Sequence, residues 1–156
     1  LAQAMRLGTP LVLLSLIAWP LVDDNLTYLR RIFLITCIVA MSTFVTHGWE
    51  AIQHHPKFVE LISGTADRLF QANIEKSNIL IILTLIGIID IVTGFSIVLY
   101  PQRNVALWMA FWGFITAMSR VTAFGWDAIG EVLIRGPHFI LPLAIYEMLR
   151  RFGHTN

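Results

Sequence analysis

Residues 77–100 read SNILIILTLIGIIDIVTGFSIVLY, and this stretch decides the class of the protein. It is one long apolar block interrupted by a single charge, Asp90. Soluble domains bury one stripe of a helix and wet the rest, whereas an unbroken apolar run of this length is the pattern of a membrane span. A second block follows almost at once, VALWMAFWGFITAMSRVTAF at 105–124, and another precedes it at about 30–52, opening RRIFLITCIVAMSTFV. Composition agrees with the local reading. The 156 residues are 56% hydrophobic and 13% charged, against about a quarter charged in soluble domains, and the mean hydropathy is +0.70.

The expected architecture is therefore all-α, an integral membrane helical bundle forming one transmembrane domain over 1–156. Two further segments complete it. The first, about 7–22, is short and contains Pro10 and Pro20; its surroundings, MRLGTPLVLLSLIAWPLV, mimic a signal peptide but lack an A-x-A site, so it reads as a retained span. The last, about 128–149, reaches spanning length only if PHFILPLAIYEML is extended back through DAIGEVLIR, with Asp127 as N-cap and a break at Gly136-Pro137. The result is a four-helix core preceded by one extra span. Between the second and third blocks, about 56–72, Pro56 can open a short helix. Phe58, Leu61 and Ile62 would share its apolar face at the membrane interface.

Aromatic residues mark the two membrane faces. Trp19, Tyr28, Tyr100 and Tyr146 fall on one side, Trp49 and Trp126 on the other. The tyrosine side carries Arg30, Arg31, Arg103, Arg150 and Arg151 close to span ends, which favours it as cytoplasmic. The other side would then face a periplasm-like space, as expected for a bacterial inner-membrane protein. A formal charge of +1, with no Lys/Arg cluster, argues against nucleic acid. Lone Cys37, inside an apolar run, reads as a small core filler.

Small residues suggest where helices meet. Ala106, Ala110, Gly113, Ala117 and Arg120 form one stripe; Thr84, Gly87, Asp90 and Gly94 form another. Such stripes let membrane helices approach closely, and the two are expected to face each other. Asp90 would then pair with Arg120, because a charge at that depth needs a partner. Helical rise places the two about 7 Å apart in depth, within reach of a snorkelling arginine.

The chemistry-bearing groups gather on one side, in THGWEAIQHHPKFVELI at 46–62. His47, Glu50 and His54 stand at i, i+3 and i+7 and share a helix face; His138 and Glu131 join from the last segment. Imidazole and carboxylate can hold a metal or carry protons, so His47, Glu50 and His54 are metal-ligand candidates, and His47 with His138 is a candidate haem pair. No HExxH or paired ExxH signature is present. A rim whose histidines merely bond to backbone, headgroups and carboxylates is the plainer alternative. A quinone is the third reading, its carbonyls met by His and Arg donors; His47, Glu50, His54, Arg120 and His138 would bind it. Glu131–Arg135 and Glu147–Arg151 read as i, i+4 pairs, and His55 and His154 as solvated.

Two stretches resemble a known family. LRRIFLITCIVAMSTFVTHGWEAIQHHPKFVELI is similar to the first span of the DoxX-like membrane proteins, an Arg before an apolar helix that ends in a Gly-containing turn. RGPHFILPLAIYEML resembles that family's last span, and the likeness covers roughly 28–150. Ala51 follows Glu50 where family members often carry a lysine, so no residue role is carried over. The resemblance implies a compact four-helix membrane unit, in some members a small subunit of a thiosulfate:quinone oxidoreductase or a partner in a redox assembly. On this basis the chain is expected to be a small subunit of a membrane redox complex, contributing to a quinone-accessible site. A metal- or haem-binding membrane protein and a structural assembly subunit are the alternatives. Membrane lipids and other membrane subunits are the expected partners, docked through the N-terminal span and Trp108, Phe111 and Trp112.

Overall fold

A computed structural model describes residues 4–18 and 25–152. Trp19, Pro20 and His154 lie outside the described residues. The architecture is all-α: α1 (Ala4–Ala18), α2 (Asn25–Ile52), α3 (Pro56–Phe70), α4 (Lys76–Leu99), α5 (Arg103–Phe124), α6 (Ile129–Ile134) and α7 (Pro137–Phe152), with a 3-10 turn at Trp126–Ala128 before α6. Three helices are long and apolar enough to cross a membrane: Thr27–Ile52 within α2, α4 and α5. The pair Trp126–Ile134 and Pro137–Arg151, bent by 44°, supplies a fourth if it counts as one span. Their outward faces are apolar: Leu85, Ile88, Ile89 and Val92 on α4 and Phe111 on α5 are about half exposed. In lipid this exposure has no hydrophobic penalty, so the chain is a membrane helical bundle.

The bent fourth span has a local cause. Pro137 sits at the first position of α7, where its missing N–H is not needed, and Gly136 and Arg135 close the preceding turn. Asp127 does not cap α6 as expected. It lies inside the 3-10 turn, and the cap position is Ala128, which makes no side-chain cap bond. The described α1 has 15 residues, roughly 22 Å of helix against a hydrocarbon core of about 30 Å. It packs along α2, where the Met5 N–H donates to Thr43 Oγ1 at 3.1 Å.

The small-residue stripes are buried as expected, but against different partners. Gly87 on α4 meets Gly48 on α2 so closely that a Cβ on Gly48 would lie 2.6 Å from the Gly87 carbonyl oxygen. One turn pair further, Gly94 packs on Met41, Phe44 and Val45 of α2. Gly113 on α5 meets the carbonyl oxygen of His138 on α7. Pro142, inside α7, has no N–H to give the carbonyl four residues back, which is that same His138 carbonyl. A glycine opposite lets the uncovered oxygen nest against α5, a close backbone approach typical of membrane helices. So α4 pairs with α2, α5 pairs with α7, and α4 touches α5 far less than it touches α2.

Helix α3 covers the gap that this leaves. Its N-terminus is capped by His55, whose Nδ1 accepts from the Lys57 N–H at 3.3 Å; the residue expected to be merely solvated is a capping group. Its far end is pinned to α5. Gly64 lies on Ala123, Thr65 and Thr122 hydroxyls bond at 2.8 Å, and the Arg68 guanidinium covers Gly125. Gly125 has φ 91°, a backbone that favours glycine, so the chain turns here without strain.

Candidate functional site

Beneath α3, between the α2–α4 and α5–α7 pairs, lies a cavity of about 370 Å³. Its roof is the apolar face of α3, with Phe58, Leu61 and Ile62 as the sequence pattern requires. Leu83 and Ile86 of α4 and Ile115 of α5 flank it where those two helices stand apart. Ile115 is 41% exposed, so it belongs both to this wall and to the outer apolar surface of the bundle. The polar residues converge on the inner wall: His47, Asp90, Trp112, Arg120, Arg135 and His138. Apolar walls with a few convergent polar groups are the usual form of a small-molecule site.

Three of those groups lack a well-formed hydrogen bond among the described residues. Asp90 Oδ1, Trp112 Nε1 and His138 Nε2 are buried without a hydrogen bond of good geometry, the Trp112 indole lying close enough to Asp90 to interact with its carboxyl. Asp90 and His138 are each 7% exposed. Leaving such atoms unpaired away from water costs roughly 1–3 kcal/mol each. A ligand that bonds to them recovers this. The His47 and His138 rings touch edge to face, centroids 5.3 Å apart at 83°, and His47 Nδ1 is 3.5 Å from Glu50 Oε2.

The expected Asp90–Arg120 ion pair does not form. Asp90 shares its helix face with Gly87 and Gly94, and that face is turned to α2 rather than α5. Arg120 is satisfied elsewhere: its Nη1 donates to the Thr116 carbonyl at 2.9 Å and to Ser119 Oγ at 3.0 Å, and its Nε is 4.0 Å from Glu131 Oε2. Both residues still line the cavity, on separate walls.

His54 leaves the expected set. It occupies a left-handed turn position at the end of α2, φ 53°, and its Nε2 pairs with Thr84 Oγ1 at 3.0 Å. His47, Glu50 and His54 therefore do not form a metal triad, and among the described residues no three His, Cys, Asp or Glu side chains converge. Helical spacing put His54 on the face of His47; the helix ends before it, so the periodicity no longer applies. Nor do His47 and His138 suit a haem. Their rings are in direct contact, with no gap for a macrocycle between them. Glu50 stays at the margin, oriented by His47 and outside the cavity lining.

Of the expected binding residues, the fold brings together His47, Arg120 and His138, and it adds Asp90, Trp112 and Arg135. Trp112 stood in the sequence as one of several docking aromatics. Its one distinguishing mark is its place beside Gly113, on the stripe that faces inward. Comparison with family profiles, with characterised proteins and with solved structures finds no match to this chain.

Proposed function

We propose that the chain is a small integral membrane subunit of a redox complex and that its cavity takes a quinone. One observation carries the reading. A cavity with mostly apolar walls holds two ring N–H groups that make no hydrogen bond of good geometry among the described residues, Trp112 Nε1 and the Nε2 of His138 in its Nε2–H tautomer, with the Asp90 carboxyl on the same lining. A quinone is an apolar tail on a flat head whose carbonyl oxygens only accept. The two N–H groups donate to one carbonyl, and the neighbouring carboxyl can hold or release the proton exchanged between quinone and quinol. Electrons reach the head from partner subunits. The resemblance of 28–150 to DoxX-like proteins supports the same assignment. So does the pairing of a compact bundle with exposed Trp108 and Phe111 that partners can cover. The bundle sits in a bacterial inner membrane with the His47–His138 side toward the periplasm.

The test uses the full chain in mild detergent, with short-chain ubiquinone and menaquinone as probes and binding read by tryptophan quenching and native mass spectrometry. Trp112→Phe and Asp90→Asn should each weaken binding about tenfold, as expected from about 1.4 kcal/mol of lost hydrogen bonding. Failure of both probes to bind the wild type, or binding indifferent to both substitutions, rejects the quinone assignment.

A further inference from the structure

A second group of residues meets at the same end of the bundle. Glu131 Oε2 accepts from Arg135 Nη1 at 3.1 Å and stands 4.0 Å from Arg120 Nε. Arg6, carried in by α1, lies within the electrostatic reach of both Arg135 and Glu131. Arg120 and Arg135 thus share one carboxylate, and Arg6 lies near enough to feel its charge without pairing to it. Among the described residues neither Arg120 nor Arg135 has an ion pair with any other acid, and Arg6 has none at all. Arg120 is 9% exposed, whereas Arg6 and Arg135 are only partly buried, the Arg6 Nε atom itself being buried without a partner among the described residues. His138 faces all three arginines and His47 faces Arg120 and Arg135, while Glu50 is engaged by His47. Three guanidinium groups around one carboxylate leave net positive charge at this end of the cavity, which an anion offsets.

We infer that Arg6, Arg120 and Arg135 bind the phosphodiester of an anionic lipid headgroup. Guanidinium forks match phosphate oxygens in geometry and charge, and basic pockets between membrane helices hold such headgroups. A lipid fits better than free phosphate for a specific reason. Arg120 and Arg135 line the cavity whose other walls include the apolar Leu61, Ile62, Leu83 and Ile115, the last reaching the outer surface of the bundle. The headgroup lies on the arginines and one acyl chain runs out between α4 and α5. Glu131 holds the guanidiniums in place and competes with the phosphate for them. A zwitterionic headgroup is disfavoured because its own cation is brought against the remaining positive charge. The arginine contacts are distinct from the Trp112, His138 and Asp90 contacts of the quinone reading, but both ligands enter the same cavity and compete for it.

The experiment is native mass spectrometry of the full chain in neutral detergent, titrated with phosphatidylglycerol, phosphatidylcholine or inorganic phosphate. Phosphatidylglycerol should bind about tenfold more tightly than phosphatidylcholine. Arg6→Gln and Arg135→Gln should each weaken it about tenfold, with partial rescue by the lysine variants. Glu131→Gln should tighten it, which provides a test even if an arginine variant does not fold. Equal binding of the two lipids, folded Arg→Gln variants that keep phosphatidylglycerol, or weaker binding after Glu131→Gln overturns the inference. Saturable binding of inorganic phosphate that phosphatidylglycerol does not displace also overturns it, assigning the site to free anion. Trp112→Phe should lower short-chain quinone binding and leave phosphatidylglycerol unchanged, so the two readings fail separately.

Discussion

The imidazole of His47 stands edge-on to that of His138, centroids 5.3 Å apart, across the junction of α2 and α7. One ring is oriented by Glu50 at 3.5 Å. The other belongs to the residue whose backbone carbonyl rests on Gly113 of α5. A single pair of side chains thereby ties together three helices around the cavity. It also explains how a wall of polar groups is kept in register inside a membrane bundle. Rigid backbone contacts set the positions, and the rings fill what is left.

The Gly48–Gly87 contact is a close backbone approach between α2 and α4, and a methyl group on Gly87 meets the Gly48 carbonyl oxygen as well as the Ile52 side chain. Gly87→Ala should destabilise the protein by about 1–3 kcal/mol, the range for overpacking, read as a lowered unfolding midpoint in detergent. Gly130, in α6 with nothing within 4 Å of a built Cβ, is the control. Gly130→Ala should be neutral or stabilising by up to about 1 kcal/mol, since alanine is the better helix former. Equal losses at both positions would contradict the packing.

Thr65 and Thr122 join α3 to α5 through one hydroxyl pair at 2.8 Å. Thr65→Val keeps the shape and removes the bond, so about 1 kcal/mol should be lost. Hydrogen exchange should accelerate over residues 56–70 while the centres of α2 and α4 stay protected. Unchanged exchange in α3 would mean that this contact does not hold the roof in place.

His54 bonds to Thr84 outside the cavity lining. His54→Ala should lower stability by about 1 kcal/mol and leave short-chain quinone binding unchanged, whereas Trp112→Phe should do the reverse. Stoichiometric zinc bound by the wild type and lost in His54→Ala would restore the metal reading.

Cys37 is 1% exposed, within the main core beside Ala40, Phe44 and Ile97. A bulky maleimide should fail to label it in folded protein and react fully after denaturation, because reaction needs an accessible thiolate. Rapid labelling in the native state would show that α2 does not pack as described.

Much of this arrangement is legible in the residues alone. The apolar blocks, the amphipathic face Phe58–Leu61–Ile62 and the buried small-residue stripes follow from local chemistry: lipid rewards unbroken apolar surface, and only small side chains permit close helix contact. These are properties of one segment at a time. Which stripe meets which depends instead on how four rods are arranged. The sequence places Asp90 and Arg120 at similar depths, yet the pairing of α4 with α2 and α5 with α7 puts them on separate walls. His54 failed for a related reason. Helical periodicity put it with His47, but the helix ends just before it, and a turn sends it to Thr84.

The amino-acid sequence by itself therefore determined that this is an all-α membrane bundle and that four of its five histidines lie toward one end of it. Tertiary structure alone decided that His47, Trp112, Arg120, Arg135 and His138 share a cavity with Asp90, and that Arg6 returns to them from the first helix. The physical reason is range. Hydropathy and side-chain size act within a helix, whereas a cavity exists only where two helix pairs fail to close on each other.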